Sequence, residues 1–159
     1  VSDEASTGGC QCGAVRYRID ITLENAHVCH CRMCQKASGN YFLPLARAPK
    51  AKFAVTRGEV SWFRSSDLVR RGFCRDCGTP LLFDVLDRNT VNVVLGALDE
   101  PAAVKPTFQC GLRTKMPWFD EIDSSEPSTD ESEWYAAIAP SIHQHPDHDT
   151  ATWPLEDRS

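Results

Sequence analysis

Cys10-Gln11-Cys12-Gly13, answered 61 residues later by Cys74-Arg75-Asp76-Cys77-Gly78, brings four thiols into two short motifs. In extended backbone, residues i and i+2 point to the same face, so Cys10 and Cys12 can reach one centre together. A C-x-x-C turn folds two further sulfurs about a single ion. The glycine after each motif permits the left-handed or crowded backbone such turns often need. Four thiolates form the closed tetrahedral shell of a structural zinc site, with Zn–S near 2.3 Å. A metal held this way joins distant parts of the chain, and its binding free energy adds directly to folding. The competing readings are buried free thiols or a disulfide. A disulfide within C-x-C closes a strained small ring, and a reducing compartment disfavours it.

Around these motifs the chain reads as short strands. Val15, Tyr17, Ile19 and Ile21 alternate with Arg16, Arg18 and Asp20, the period of a strand with one buried face. Further strand-like runs lie at 41–46, 52–56, 60–64, 68–73, 81–85 and 91–95. Turn residues such as Arg57-Gly58, Cys77-Gly78 and Asp87-Arg88-Asn89 separate many of them. This spacing predicts an all-β or β-rich sandwich. One short helix is predicted at 32–38, ended by Gly39. Trp62, Phe63, Trp118 and Phe119 are read as core or pocket wall. Beyond Trp118 the pattern decays. Residues 123–133 read as a loop, 134–138 as a strand or helical turn that docks back, and 143–159 as an extended tail. The expected organisation is a zinc-binding domain over residues 1–122 and an acidic, partly extended tail over 123–159.

Cys29-His30-Cys31-Arg32-Met33-Cys34 forms a second thiol set. Strand alternation brings Cys29 and Cys31 together, and the turn into the helix returns Cys34. Three protein ligands leave a metal one open position for water or substrate, as in catalytic zinc sites. The helix start, with Arg32 and Lys36 nearby, favours the thiolate forms. Alternatives remain open here: Cys110, His27 or His30 as a fourth ligand, a metal-free redox dithiol, or inert thiols. Cys110 read by itself is a small buried hydrophobe. His143, His145 and His148 read as part of a polar tail rather than as a metal site.

Composition sets the wider frame. Eight cysteines in 159 residues are about 5% of the chain, fewer than in small disulfide scaffolds. Val1 to Gly9 has no basic start followed by an apolar run, so a cytoplasmic location is expected, where cysteine patterns mean metal or catalysis. No apolar run is long enough to span a membrane. Residues 1–119 carry a charge balance of +5 and residues 120–159 one of −10. The acidic stretch reads as a solvated surface segment, and nucleic acid is not an expected partner.

Three segments together resemble the glutathione-dependent formaldehyde-activating, centromere-protein-V-like family. They are Gly9-Cys10-Gln11-Cys12-Gly13-Ala14-Val15-Arg16-Tyr17, then Cys29-His30-Cys31-Arg32-Met33-Cys34-Gln35-Lys36-Ala37-Ser38-Gly39, then Phe73-Cys74-Arg75-Asp76-Cys77-Gly78-Thr79-Pro80-Leu81. They occur in the family's order, and the resemblance extends over residues 9–119. It implies a mainly β, Mss4-like zinc-containing fold with one or two short helices. It implies structural zinc on Cys10, Cys12, Cys74 and Cys77, and a second zinc on Cys29, Cys31 and Cys34, the catalytic set. It implies carbon–sulfur lyase chemistry, with glutathione as co-substrate and formaldehyde as the aldehyde. Arg32 and Lys36 are candidate contacts for the glutathione carboxylates, on charge and nearness in sequence. Phe108-Gln109-Cys110-Gly111 departs from the family pattern, which has a His and a Trp in this region. A non-enzymatic zinc module for protein interaction and a thiol redox protein are the alternative functions.

Overall fold

The structure is a computed structural model that describes residues 5–128 and 131–153. Ten strands among the described residues form two sheets. β1 (Ser6–Gly9), β2 (Arg16–Ile19) and β5 (Phe53–Arg57) make a three-stranded sheet in the order β1-β2-β5. The other seven are β3 (Glu24–Cys29), β4 (Leu43–Pro49), β6 (Ser61–Arg64), β7 (Val69–Phe73), β8 (Pro80–Val85), β9 (Thr90–Val94) and β10 (Phe108–Cys110). They pair in the order β10-β3-β4-β9-β8-β7-β6. All these pairings are antiparallel except β10 with β3, which run parallel. The chain is thus mainly β, as its alternating runs predict.

Alternation places the core. Tyr17 and Ile19 of β2 are fully buried, as are Leu81 of β8 and Val93 of β9; Leu43 and Leu45 of β4 and Leu82 of β8 are nearly so. They belong to one apolar cluster that joins both sheets. Each large aliphatic buried this way contributes roughly 1.5–3 kcal/mol. The Tyr17 hydroxyl donates to the Ala97 carbonyl at 3.1 Å, which satisfies the one polar atom that its burial would otherwise strand. No helix among the described residues is long and apolar enough to cross a membrane.

α1 (Arg32–Ser38) follows β3 directly and ends at Gly39, whose φ of 65° gives the left-handed cap glycine favours. α2 (Glu131–Ile138) occupies the stretch expected as a strand or helical turn. It does not dock its aromatics. Trp134 and Tyr135 stay exposed and pack edge to face on one another, with centroids 5.8 Å apart. Of the expected 123–133 loop, residues 129 and 130 lie outside the described residues. Residues Phe119–Ser124 form 3-10 turns.

The segment after residue 143 has no regular structure, yet it packs back onto the domain. His145 is buried, and its amide donates to the Gln11 carbonyl at 2.7 Å. Arg57 binds the Thr150 carbonyl, and Arg16 pairs with Asp149 at 2.8 Å while also holding Asp99. Basic side chains of the first sheet therefore capture part of the acidic segment. Residues 154–159 of the expected tail lie outside the described residues.

Candidate functional site

The loop from β1 to β2 carries Cys10 and Cys12, and the turn from β7 to β8 carries Cys74 and Cys77. The four sulfurs lie within 4.8 Å of one another. Cys10 Sγ stands 3.5 Å from Cys12 Sγ, and Cys12 Sγ stands 3.8 Å from Cys74 Sγ. A zinc–thiolate tetrahedron with bonds of about 2.3 Å has sulfurs about 3.8 Å apart. The donor set and spacing therefore fit a four-thiolate metal site. Backbone bonds hold both loops in shape: Cys10 N to Val15 O, Cys74 N to Thr79 O and Gly78 N to Cys74 O, each at 2.9–3.0 Å. The Val15 amide also donates to Cys10 Sγ at 3.2 Å.

Proton affinities in this cluster are uneven. Burial pushes the Cys12 and Cys74 thiols up. Burial also acts on Cys77, but the Thr79 hydroxyl and nearby backbone amides outweigh it and bring that thiol down to about 6.

The second cluster is built where β3 gives way to α1. Cys29 closes β3, Cys31 is the N-cap residue of α1 and Cys34 lies in its first turn. Their three sulfurs also lie within 4.8 Å of one another. Cys34 hydrogen-bonds Cys29, and that bond holds the Cys29 thiol down at about 4 against the effect of burial. The same bond, with burial, pushes Cys34 up. These two clusters are the groups arranged for a metal among the described residues.

The two histidines considered as a fourth ligand have partners elsewhere. The His27 Nδ1 lies 2.9 Å from the Asn25 carbonyl, and its ring stacks on Phe108. His30, the residue after β3, is fully buried. Its Nε2 lies 2.9 Å from Gln109 Oε1, and its ring stands nearly perpendicular to that of Phe119 with centroids 4.6 Å apart. Cys110 pairs in register with Cys29, and its thiol interacts with that of Cys29. Burial and the hydrogen bond with Cys29 push Cys110 up to about 11. It lies beside the cluster, outside the group of three.

The segment that departs from the family pattern thus forms a wall of the second site. Gly111 (φ 67°) is needed there, because a Cβ would lie 2.6 Å from the Cys31 amide nitrogen. Gln35 locks the wall in place, donating to the His30 carbonyl at 2.9 Å and the Thr114 carbonyl at 2.8 Å. Arg32 and Lys36, the candidate glutathione contacts, are both exposed but do not converge. Arg32 donates to Gln35 Oε1, while Lys36 lines a groove with Met33, Ala37, Phe63 and Arg71. Of the aromatics expected in core or pocket wall, Phe63 lines that groove, Trp118 packs on Tyr41, and Trp62 lies under the Arg70 guanidinium.

Two groups near the clusters carry no signal in the sequence pattern. Arg71, one of several scattered arginines, sends Nη2 to Cys34 Sγ at 3.5 Å. His145 is the middle member of a polar H-x-H-x-x-H run. It packs on Gly13, next to the first cluster.

Comparison with known proteins shows the family. Residues 5–113, about two thirds of the chain, match the family model described as glutathione-dependent formaldehyde-activating enzyme. An uncharacterized lyase of Schizosaccharomyces pombe is 29% identical over 76 residues, which cover 48% of this chain and 55% of that protein. The chain therefore spans about half the length of the curated relative it matches. A crystal structure of a Rhodobacter sphaeroides protein superposes with a TM-score of 0.55 at 20% identity, covering 65% of this chain and 99% of that one. That likeness is one of fold.

Proposed function

The chain belongs to the glutathione-dependent formaldehyde-activating enzyme family, and from that premise we propose that it is a zinc-dependent carbon–sulfur lyase acting on a thiol adduct. The best-supported pair is glutathione and formaldehyde, joined as S-(hydroxymethyl)glutathione. The observation that carries this reading is the contrast between the clusters. One gathers four thiols and closes a shell, and the other gathers three. On this reading Cys10, Cys12, Cys74 and Cys77 hold a structural zinc. Cys29, Cys31 and Cys34 hold the catalytic one.

Zinc bound by three thiolates supplies a Lewis-acidic fourth position, which favours the thiolate form of a thiol. The chain's own residues provide the rest. The Gln35 bonds and Gly111 hold the wall beside Cys31 in place, so both reactants meet in a fixed geometry. Lys36 on the groove rim offers a cation to a glutathione carboxylate, and Arg32 a second at the helix start. In the reaction the glutathione sulfur forms a bond to the aldehyde carbon. The carbonyl π bond opens, and its oxygen takes the proton given up by the thiol. No electron donor or acceptor is needed. A cytoplasmic setting, with reduced thiols, completes the proposal.

The test follows carbon-labelled formaldehyde and glutathione by exchange NMR, with the uncatalysed rate subtracted. Acceleration by the zinc-loaded protein, abolished in a folded Cys31→Ser variant, is expected. Equal acceleration by that variant, or none by the wild type, would overturn the assignment.

A further inference from the structure

We propose that Arg71 is the charge partner of the three-cysteine cluster, and that its guanidinium sets how tightly Cys29, Cys31 and Cys34 hold a divalent metal. The inference rests on the zinc reading of that cluster and adds to it a residue outside the thiol motifs. Arg71 sits in the middle of β7, in register with Phe63 of β6 and Phe83 of β8. Only 7% of it is exposed. Strand alternation sends its neighbour Arg70 the other way, to Asp84 at 2.7 Å. Among the described residues Arg71 has no such carboxylate. Among the described residues its hydrogen bond goes to Cys34 Sγ at 3.5 Å, and the guanidinium packs over the Phe83 ring at 4.9 Å.

A guanidinium keeps its charge at any ordinary pH, and burying one is costly unless an anion meets it. With a metal bound, the Cys34 sulfur would be a thiolate, and it is the group positioned to be that anion. The charges then balance. Three thiolates and a divalent ion sum to −1, and Arg71 brings the site to zero. A further thiolate entering the fourth position would leave −1 instead of −2. The four-cysteine cluster is built differently. Its sulfur partners outside the cluster are backbone amides, Val15 among them, and the Thr79 hydroxyl, with no arginine among the described residues. Arg71 thus distinguishes the cluster suited to an anionic ligand from the one that is closed. It acts through Cys34, as a positioning residue.

The experiment is titration of the full chain with cobalt(II) under chelator competition, read from the thiolate-to-cobalt absorption. Wild type is compared with Arg71→Lys, Arg71→Gln and Arg71→Met. Wild type should take up two ions per chain. Arg71→Met and Arg71→Gln should keep the first and bind the second about 10- to 100-fold more weakly, the usual effect of losing an outer partner. Arg71→Lys should recover most of the loss. Occupancy of the first site reports folding in each variant, and the Lys–Gln pair serves if Arg71→Met does not fold. Unchanged second-site affinity in Arg71→Gln would overturn the proposal and leave the zinc reading intact. Equal weakening in Arg71→Lys and Arg71→Gln would overturn it in favour of shape. Uptake of a single ion by wild type would overturn both.

Discussion

Gly13 and Gly78 follow their cysteine motifs and have similar backbone angles, φ 85° and 77°, yet they do different work. A Cβ at Gly78 would meet open space, whereas one at Gly13 would lie 2.2 Å from the His145 ring and 2.8 Å from Trp153. Gly78→Ala therefore carries only the cost of the left-handed backbone, roughly 1–2 kcal/mol. Gly13→Ala carries that cost and also expels the docked segment. Its loss of stability in urea unfolding should be larger, and hydrogen exchange should rise at residues 144–150. Equal losses with no change in exchange would contradict this account of His145. The cysteine spacing was legible in the sequence because metal geometry restricts it tightly. The use of Gly13 by His145, and of Cys34 by Arg71, was not. One histidine in a polar run and one arginine among many look alike until the fold brings their partners close.

β7 and β8 illustrate how charge steadies an element. Asp84 of β8 is 1% exposed and pairs with Lys50 and Arg70, both at 2.7 Å. Burial alone would raise its carboxyl, but the two cations outweigh burial and hold it below its ordinary 3.8. Because the folded value is depressed, its stabilisation is full above about pH 3.8 and fades as the pH falls through the lower folded value. Asp84→Asn should cost about 1–3 kcal/mol at pH 7, given that both partners are partly exposed to solvent. The gap to wild type should narrow by pH 3. Urea unfolding at the two pH values checks this, and a gap that widens in acid would refute it. The long alternating strands were readable for the same reason they are stable: one face of each is buried. β3 and β10 escaped the pattern. β3 mixes Glu24, Asn25 and His27 with its apolar residues, and β10 has three residues. Their strand form comes from pairing with each other and with β4 rather than from local preference.

At the scale of the molecule, the proposed reading gives the two clusters different roles. The four-cysteine cluster ties the β1–β2 loop of the small sheet to the β7–β8 turn of the large one, so a metal there crosslinks both sheets. The three-cysteine cluster lies at the β3–α1 junction, held by a wall from the β10 region. Removing one thiol from each should separate structure from chemistry. In scanning calorimetry, Cys77→Ser should lower the unfolding temperature sharply and Cys31→Ser only slightly. Equal effects would contradict the division. The most direct test of the central claim, that the three-cysteine cluster holds a metal to receive a thiol, is calorimetric titration of glutathione into protein of assayed zinc content, beside Cys31→Ser. The account predicts zinc-dependent binding with proton release by wild type and none by the folded variant. Fully zinc-loaded wild type that fails to bind glutathione would contradict it.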